Sequence, residues 1–179
     1  MRNVVLTGFM GTGKSSVGRM LADRLGFRFV DLDAEVVRSE GRSINTIFAE
    51  SGEEAFRVLE AEHLQRLLLA QGIVLATGGG VVKNENNRRI MHSFGVVVNL
   101  TATVDAIWQR LAEDTERPLL RDDRSPERIE AMLAERERCY AEADVRIDTT
   151  GKSVESVVDE ILLWLKKECV CGNSDSRTR

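Results

Sequence analysis

Gly8-Phe9-Met10-Gly11-Thr12-Gly13-Lys14-Ser15 spells G-x-x-x-x-G-K-S, and its flanks decide how it is read. Upstream, Val4-Val5-Leu6 is a short apolar run of the kind that forms a buried strand. Downstream, Val17, Leu21 and Leu25 recur on one helical face, which predicts a helix from Lys14 to Leu25. The motif therefore occupies the strand–loop–helix context that its chemistry requires. Glycines let the chain curl with its N–H groups inward, and the helix N-terminus adds partial positive charge. Such a loop cradles a polyphosphate, with Lys14 reaching the outer phosphates and the Ser15 hydroxyl available to Mg²⁺. The expected ligand is a nucleoside triphosphate.

Working outward, Gly26 is placed to cap the first helix, and Phe27-Arg28-Phe29-Val30 predicts a second strand. It ends on Asp31-Leu32-Asp33, where two carboxylates would flank the crevice at the C-terminal end of a sheet. One acid near Mg²⁺ and one near a substrate hydroxyl is one reading. A helix-start pair is the other, because Asp favours N-caps and first turns. Taken alone, the doublet favours the second.

Residues 34–71 carry helical segments broken at Gly41 and Gly52 but no strand pattern. That is long for one connection in an alternating chain, so a helical insertion that builds a substrate pocket is expected. Phe56, Leu59, His63, Leu64, Leu67 and Leu68 fall at helical spacing. Arg57 lies beside that stripe, as a solvated charge or a pocket cation; spacing leaves both open. Ile73-Val74-Leu75-Ala76 is a third strand running into Thr77-Gly78-Gly79-Gly80, where three glycines permit close approach of backbone to ligand.

Beyond it come a polar helix over 84–93, a fourth strand at Val96-Val97-Val98-Asn99-Leu100, and a helix begun by Thr103. Trp108 and Trp164 read as core residues. Residues 114–126 hold both prolines, Pro118 and Pro126, with Arg117, Arg121 and Arg124 between or beside them. An arginine-bearing segment near a phosphate site suggests a lid. Ser125-Pro126 supplies an N-cap and first position for a helix carrying Arg136, followed by a short strand Val145-Arg146-Ile147-Asp148 and an amphipathic helix over 153–167.

The chain of 179 residues with 42% hydrophobic content fits one domain over 1–168, with the insertion at about 33–71 and the lid at about 112–125. Residues 169–179 read as a disordered tail. A net charge of −4 argues against nucleic-acid or polybasic membrane partners, so phosphates must be met by local clusters of cations and N–H groups. No apolar run is long enough for a transmembrane span, and a cytoplasmic protein acting as a monomer is expected. Cys139, Cys169 and Cys171 fit no disulfide or zinc framework.

Taken in order, GFMGTGKSSVGR, DLD, GEEAFRVLE, ATGGGVV, RPLL, ERERCY and a strand ending in IDT resemble the shikimate kinase family along nearly the whole chain. The resemblance implies an α/β fold: a five-stranded parallel sheet with helices on both faces, of the nucleoside monophosphate kinase type. It implies Mg²⁺-dependent transfer of the ATP γ-phosphate to the 3-hydroxyl of shikimate. By position, Gly11, Thr12, Gly13, Lys14, Ser15 and Ser16 would hold the ATP phosphates, Asp31 would partner Mg²⁺ with Ser15, and Asp33 would orient the acceptor hydroxyl. Arg57 and Arg136 would clamp the shikimate carboxylate, Gly79 and Gly80 would add backbone contacts, and Arg117 would be the lid arginine. The loop Thr150-Gly151-Lys152 departs from the arginine often found at the adenine side. The rival readings are a gluconate or nucleoside monophosphate kinase of the same fold, and a non-catalytic nucleotide-binding protein. A guanine switch is disfavoured because no N-K-x-D occurs.

Overall fold

The computed structural model describes residues 2–112 and 125–171. Five parallel strands form one sheet: β1 (Asn3–Gly8), β2 (Arg28–Asp31), β3 (Ile73–Ala76), β4 (Gly95–Thr101) and β5 (Val145–Asp148), in the order β2-β3-β1-β4-β5. The seven helices among the described residues are α1 (Lys14–Leu25), α2 (Leu32–Glu40), α3 (Ile44–Leu68), α4 (Glu85–Phe94), α5 (Val104–Leu111), α6 (Pro126–Tyr140) and α7 (Val154–Cys171). The sheet and its two helical layers are those the sequence predicts.

Alternation along the strands sorts the core. Val4 and Leu6 of β1 pack with Val74, Val98, Val17 and Leu21 of α1, and Val157, Val158 and Ile161 of α7. Val5, one residue out of phase, points to the opposite face with Leu75, Val97, Leu64 and Leu68 of α3, Met91 of α4 and Tyr140 of α6. Strands buried on both faces are why these runs are continuously apolar. The first strand in sequence is central, with β3 on one side and β4 on the other. Its C-terminal end is therefore the point where the winding reverses, the usual place for a ligand crevice.

Between β2 and β3 run α2 and α3, which pack through Val36, Ile47 and Phe56. Gly41 caps α2 in the left-handed region at φ 65°, and Gly52 kinks α3 at φ 83°, ψ 169°. Both breaks are where the glycines placed them. Ser125 caps α6 by accepting from Arg128 N at 3.2 Å, with Pro126 in the first turn.

Three expectations need correction. Trp108 is 45% exposed, not core. Ile107 and Leu111 face inward on α5, and one further residue turns Trp108 by roughly 100° away from Ile107. Trp164 is half-buried and lies outside the core clusters of the described residues. Helix α7 runs to Cys171, past the boundary placed at 168. The lid arginines Arg117, Arg121 and Arg124 lie outside the described residues, as do residues 172–179. Among the described residues no helix is long and apolar enough to cross a membrane.

Asn3 ties the sheet to the α3–β3 turn. Its buried Nδ2 donates to Leu68 O at 3.3 Å and Ala70 O at 2.8 Å, and its Oδ1 accepts from Ile73 N at 3.2 Å. Asn3→Ala leaves these backbone groups without their side-chain partner and should cost about 2 kcal/mol in urea unfolding. Arg24→Ala, which breaks an exposed pair with Asp159, should stay within about 0.5 kcal/mol. Equal effects would contradict the proposed brace.

Candidate active site

The phosphate loop leaves β1 through Gly8, where an added Cβ would stand 2.3 Å from Leu100 O. Gly11 and Gly13 take positive φ values of 78° and 91°, curling the chain into α1. Gly13 stands at the N-cap of α1 and offers no side-chain cap, so the first helical N–H groups keep their capacity for an anion. Lys14 Nζ donates to Gly8 O and Phe9 O, both at 2.8 Å, and so arches over its own loop. Thr12 is 1% exposed and donates its hydroxyl to Phe9 O at 2.7 Å. Its side chain braces the loop and does not line the cleft.

Beside the loop, the aspartate doublet starts a helix, and its first member also meets the loop hydroxyl. Asp31 ends β2 and caps α2, its Oδ1 accepting from Ala34 N at 3.3 Å, while its Oδ2 accepts from Ser15 Oγ at 2.8 Å. A hydroxyl next to one carboxylate fits Mg²⁺, which keeps most of its waters and shares nucleotide phosphates. Among the described residues no group of three or more His, Cys, Asp or Glu forms a full protein cage. Asp33 follows in the first turn of α2.

The triple glycine runs between charged side chains. A Cβ on Gly78 would meet Glu60 Oε1 at 2.6 Å and Asp33 Oδ1 at 2.8 Å; one on Gly80 would meet Arg57 Nη2 at 2.6 Å. Gly79 O accepts from Arg136 Nη1 at 3.2 Å and from Tyr140 Oη at 2.8 Å. Burial pushes the Tyr140 phenol up to about 12, so it remains a donor. Arg136 is 3% exposed and lies 5.4 Å from the Phe9 ring centroid. Arg57 is three-quarters buried and held on its own helix by Glu53 at 2.9 Å and Glu60 at 2.8 Å.

The two partners of that pair respond differently. Desolvation pulls Arg57 down, but Glu60 and Glu53 together hold it above its ordinary value, so it stays a cation. Desolvation lifts Glu60 to about 7 against the opposing pull of Arg57, with the Asp33 charge adding to the rise.

Gly11, Gly13, Lys14, Ser15, Ser16, Asp31, Asp33, Arg57, Gly79, Gly80 and Arg136 all line one cleft of about 800 Å³. Residues that the sequence separates by more than a hundred positions are thus brought together. Glu60, Asn45 and Arg110 line it too, and sequence reading did not single them out. Glu60 sits three residues after Arg57, a spacing that could have flagged the pair. Arg110 donates to Gly11 O at 3.0 Å and Thr149 O at 2.9 Å, tying the loop to the chain beyond β5. Nothing local in the sequence signals that bridge.

The raised Glu60 value sets a sign for stability against pH. The folded chain holds this proton more tightly than the unfolded one, whose value is near 4.5. Its contribution is therefore complete below about pH 4.5 and is lost as pH rises to about 7. The stability of the native protein relative to Glu60→Gln should fall across that window, on the order of a few kcal/mol, and level off above it. A difference independent of pH would contradict the buried, desolvated state of Glu60.

Comparison with known proteins bears on what this cleft takes. The shikimate kinase family model matches residues 10–166. A shikimate kinase of Geobacter metallireducens is 61% identical over 166 residues, covering 93% of each chain. One from Geobacter sulfurreducens is 54% identical over 166 residues, covering 93% of this chain and 92% of the relative. A solved shikimate kinase from Acinetobacter baumannii, in complex with shikimate, superposes with a TM-score of 0.91 at 36% identity, covering 94% of each chain. With the family model matched over residues 10–166 and a relative 61% identical over 93% of the chain, the chain belongs to the shikimate kinase family.

Proposed function

We propose that this chain transfers the γ-phosphate of ATP to the 3-hydroxyl of shikimate, giving 3-phosphoshikimate and ADP. The observation that carries the reading is the convergence of Asp33, Arg57 and Arg136 on the cleft that also holds the phosphate loop. Two guanidinium groups suit one planar carboxylate, and an acid beside them suits a hydroxyl. Family membership and the shikimate complex of the Acinetobacter baumannii relative support the choice of acceptor.

In this reading the loop N–H groups and Lys14 hold the β- and γ-phosphates. Ser15 and Asp31 would hold Mg²⁺, which when bound neutralises charge on the phosphate oxygens. Asp33 accepts a hydrogen bond from the acceptor hydroxyl and points its oxygen at the γ-phosphorus. A new O–P bond forms as the bond to the leaving ADP oxygen breaks. The transition state is loose, so the hydroxyl proton departs late and orientation is the larger part of what Asp33 contributes. Arg117 supplies positive charge to the transferring group. All these residues come from one chain, so the reading needs only a monomer, in the cytoplasm where ATP is available.

Release of ADP in a coupled assay should occur with shikimate and not with gluconate or nucleoside monophosphates, and Asp33→Asn should remove most of it. Turnover of gluconate or a monophosphate in place of shikimate would overturn the assignment. Arg136→Ala and Arg57→Lys should raise the shikimate KM by about 10-fold or more while leaving the ATP KM nearly unchanged. Equal rises for both substrates would contradict the clamp. Arg117→Ala should lower kcat by about 10³-fold or more with far less effect on ATP binding, whereas a loss confined to ATP KM would contradict its role.

A further inference from the structure

Asn99 is fully buried in β4, at a position where an apolar side chain would have no polar atoms to satisfy. It is in register with Thr7 of β1 on one side and with Arg146 of β5 on the other. Its Nδ2 donates to Thr7 Oγ1 at 3.3 Å, and its Oδ1 accepts from Arg146 Nε at 3.3 Å. Arg146 then reaches off the sheet to α6, where Nη1 and Nη2 donate to the two Glu137 carboxylate oxygens at 2.6 Å and 3.0 Å. These side chains form one hydrogen-bonded row across β1, β4 and β5 to α6. Asn99 is its buried centre, with the amide oxygen and nitrogen both matched.

The two ends of the row belong to the two halves of the cleft. Thr7 is the residue before Gly8, where the phosphate loop leaves the sheet. Gly8 in turn lies so near Leu100 O, one residue on from Asn99, that a Cβ there would overlap it. At the other end, Glu137 follows Arg136 on α6. Arg136 and Tyr140 both bond to Gly79 O, and one shared acceptor atom leaves the helix a pivot. Glu137 lies about 100° further round α6 from Arg136 and supplies a separate attachment. An exposed ion pair adds little stability, and the Glu137 side chain is 56% exposed. This one is two-pronged, which fixes direction, and its arginine also bonds to a buried amide. Such a brace contributes geometry more than stability.

We propose that Asn99 is a positioning residue for phosphoryl transfer: through Arg146 and Glu137 it sets the rotation of α6, and so the direction of Arg136, relative to the phosphate loop that Thr7 leads into. The inference rests on the shikimate kinase reading and goes beyond it, since Thr7, Asn99, Arg146 and Glu137 all stand outside the cleft lining. Loss of the row leaves each half its own contacts, Lys14 on the loop carbonyls and Arg136 on Gly79 O, so both substrates still bind. What suffers is the alignment of the acceptor oxygen with the γ-phosphorus, on which the rate depends steeply.

The test is steady-state kinetics with shikimate and ATP, and a thermal melt, on the native protein, Thr7→Val, Asn99→Leu, the double variant and Asn99→Asp. Thr7→Val keeps the branched shape that suits a strand and removes only the hydroxyl that Asn99 meets. It should lower kcat about 3- to 10-fold, and Asn99→Leu about 10-fold or more, with both KM values within about 2-fold of native. The double variant should be no slower than Asn99→Leu alone, because the same row is broken in each. Asn99→Asp, whose oxygens can accept from Thr7 Oγ1 and Arg146 Nε, should stay within about 3-fold of native kcat. Native kcat in Thr7→Val and Asn99→Leu, with only the melting temperatures lowered, would overturn the inference and leave a structural brace. Losses confined to KM, or a kcat in Asn99→Asp as low as in Asn99→Leu, would overturn it too. Should Asn99→Leu fail to fold, the kcat of Thr7→Val decides alone. A native protein that does not phosphorylate shikimate takes the assignment and this inference down together; normal native turnover with unaltered variants removes the inference only.

Discussion

The acceptor half of the cleft depends on a length of backbone that carries no side chains. Residues 78–80 pass so close to Glu60, Asp33 and Arg57 that a single methyl at Gly78 or Gly80 would sit within 3.0 Å of a charged atom. Without Cβ atoms the turn lets two acids and two arginines crowd around one space, and Gly79 O is free to anchor Arg136 and Tyr140 from α6. Charges gathered this way would be expensive if left alone. Arg57 is matched by Glu53 and Glu60, and Arg136 by Gly79 O and the face of Phe9.

The sheet brings this turn against the phosphate loop. Because β1 is central and β3 is its neighbour, the loop after β1 and the glycines after β3 leave the same edge side by side. β2, paired with β3, ends at Asp31 on that edge as well. Asp31 then joins the two halves: one oxygen caps the helix that carries Asp33, and the other meets the Ser15 hydroxyl of the phosphate loop. A displacement of α2 would be felt at both ends of the phosphoryl path.

How much of this was legible in sequence follows from the range of each signal. The phosphate loop, the five strands and the glycine caps are written in contiguous residues, so motif and periodicity were enough. The Asp31-Leu32-Asp33 doublet was ambiguous because the same residues start a helix and line the cleft. Arg57 was undecided because its fate depends on how α3 is rotated against Gly80, a contact between segments far apart in sequence. Glu60 was passed over since a carboxylate three residues from an arginine reads as a surface pair, and only tertiary burial makes it otherwise. Trp108 was misread as core, while the packing of α5 is decided by Ile107 and Leu111. Arg110 reaches Gly11 and Thr149 through the fold alone.

The central claim is that one cavity beside the phosphate cradle is built to hold a small hydroxylated carboxylate. A crystal structure of the protein with shikimate and Mg·ADP tests it most directly. The account predicts the shikimate carboxylate within hydrogen-bonding distance of both Arg57 and Arg136, and the 3-hydroxyl on Asp33 facing the nucleotide. Shikimate seated elsewhere, or bound here with its carboxylate away from both arginines, would contradict it.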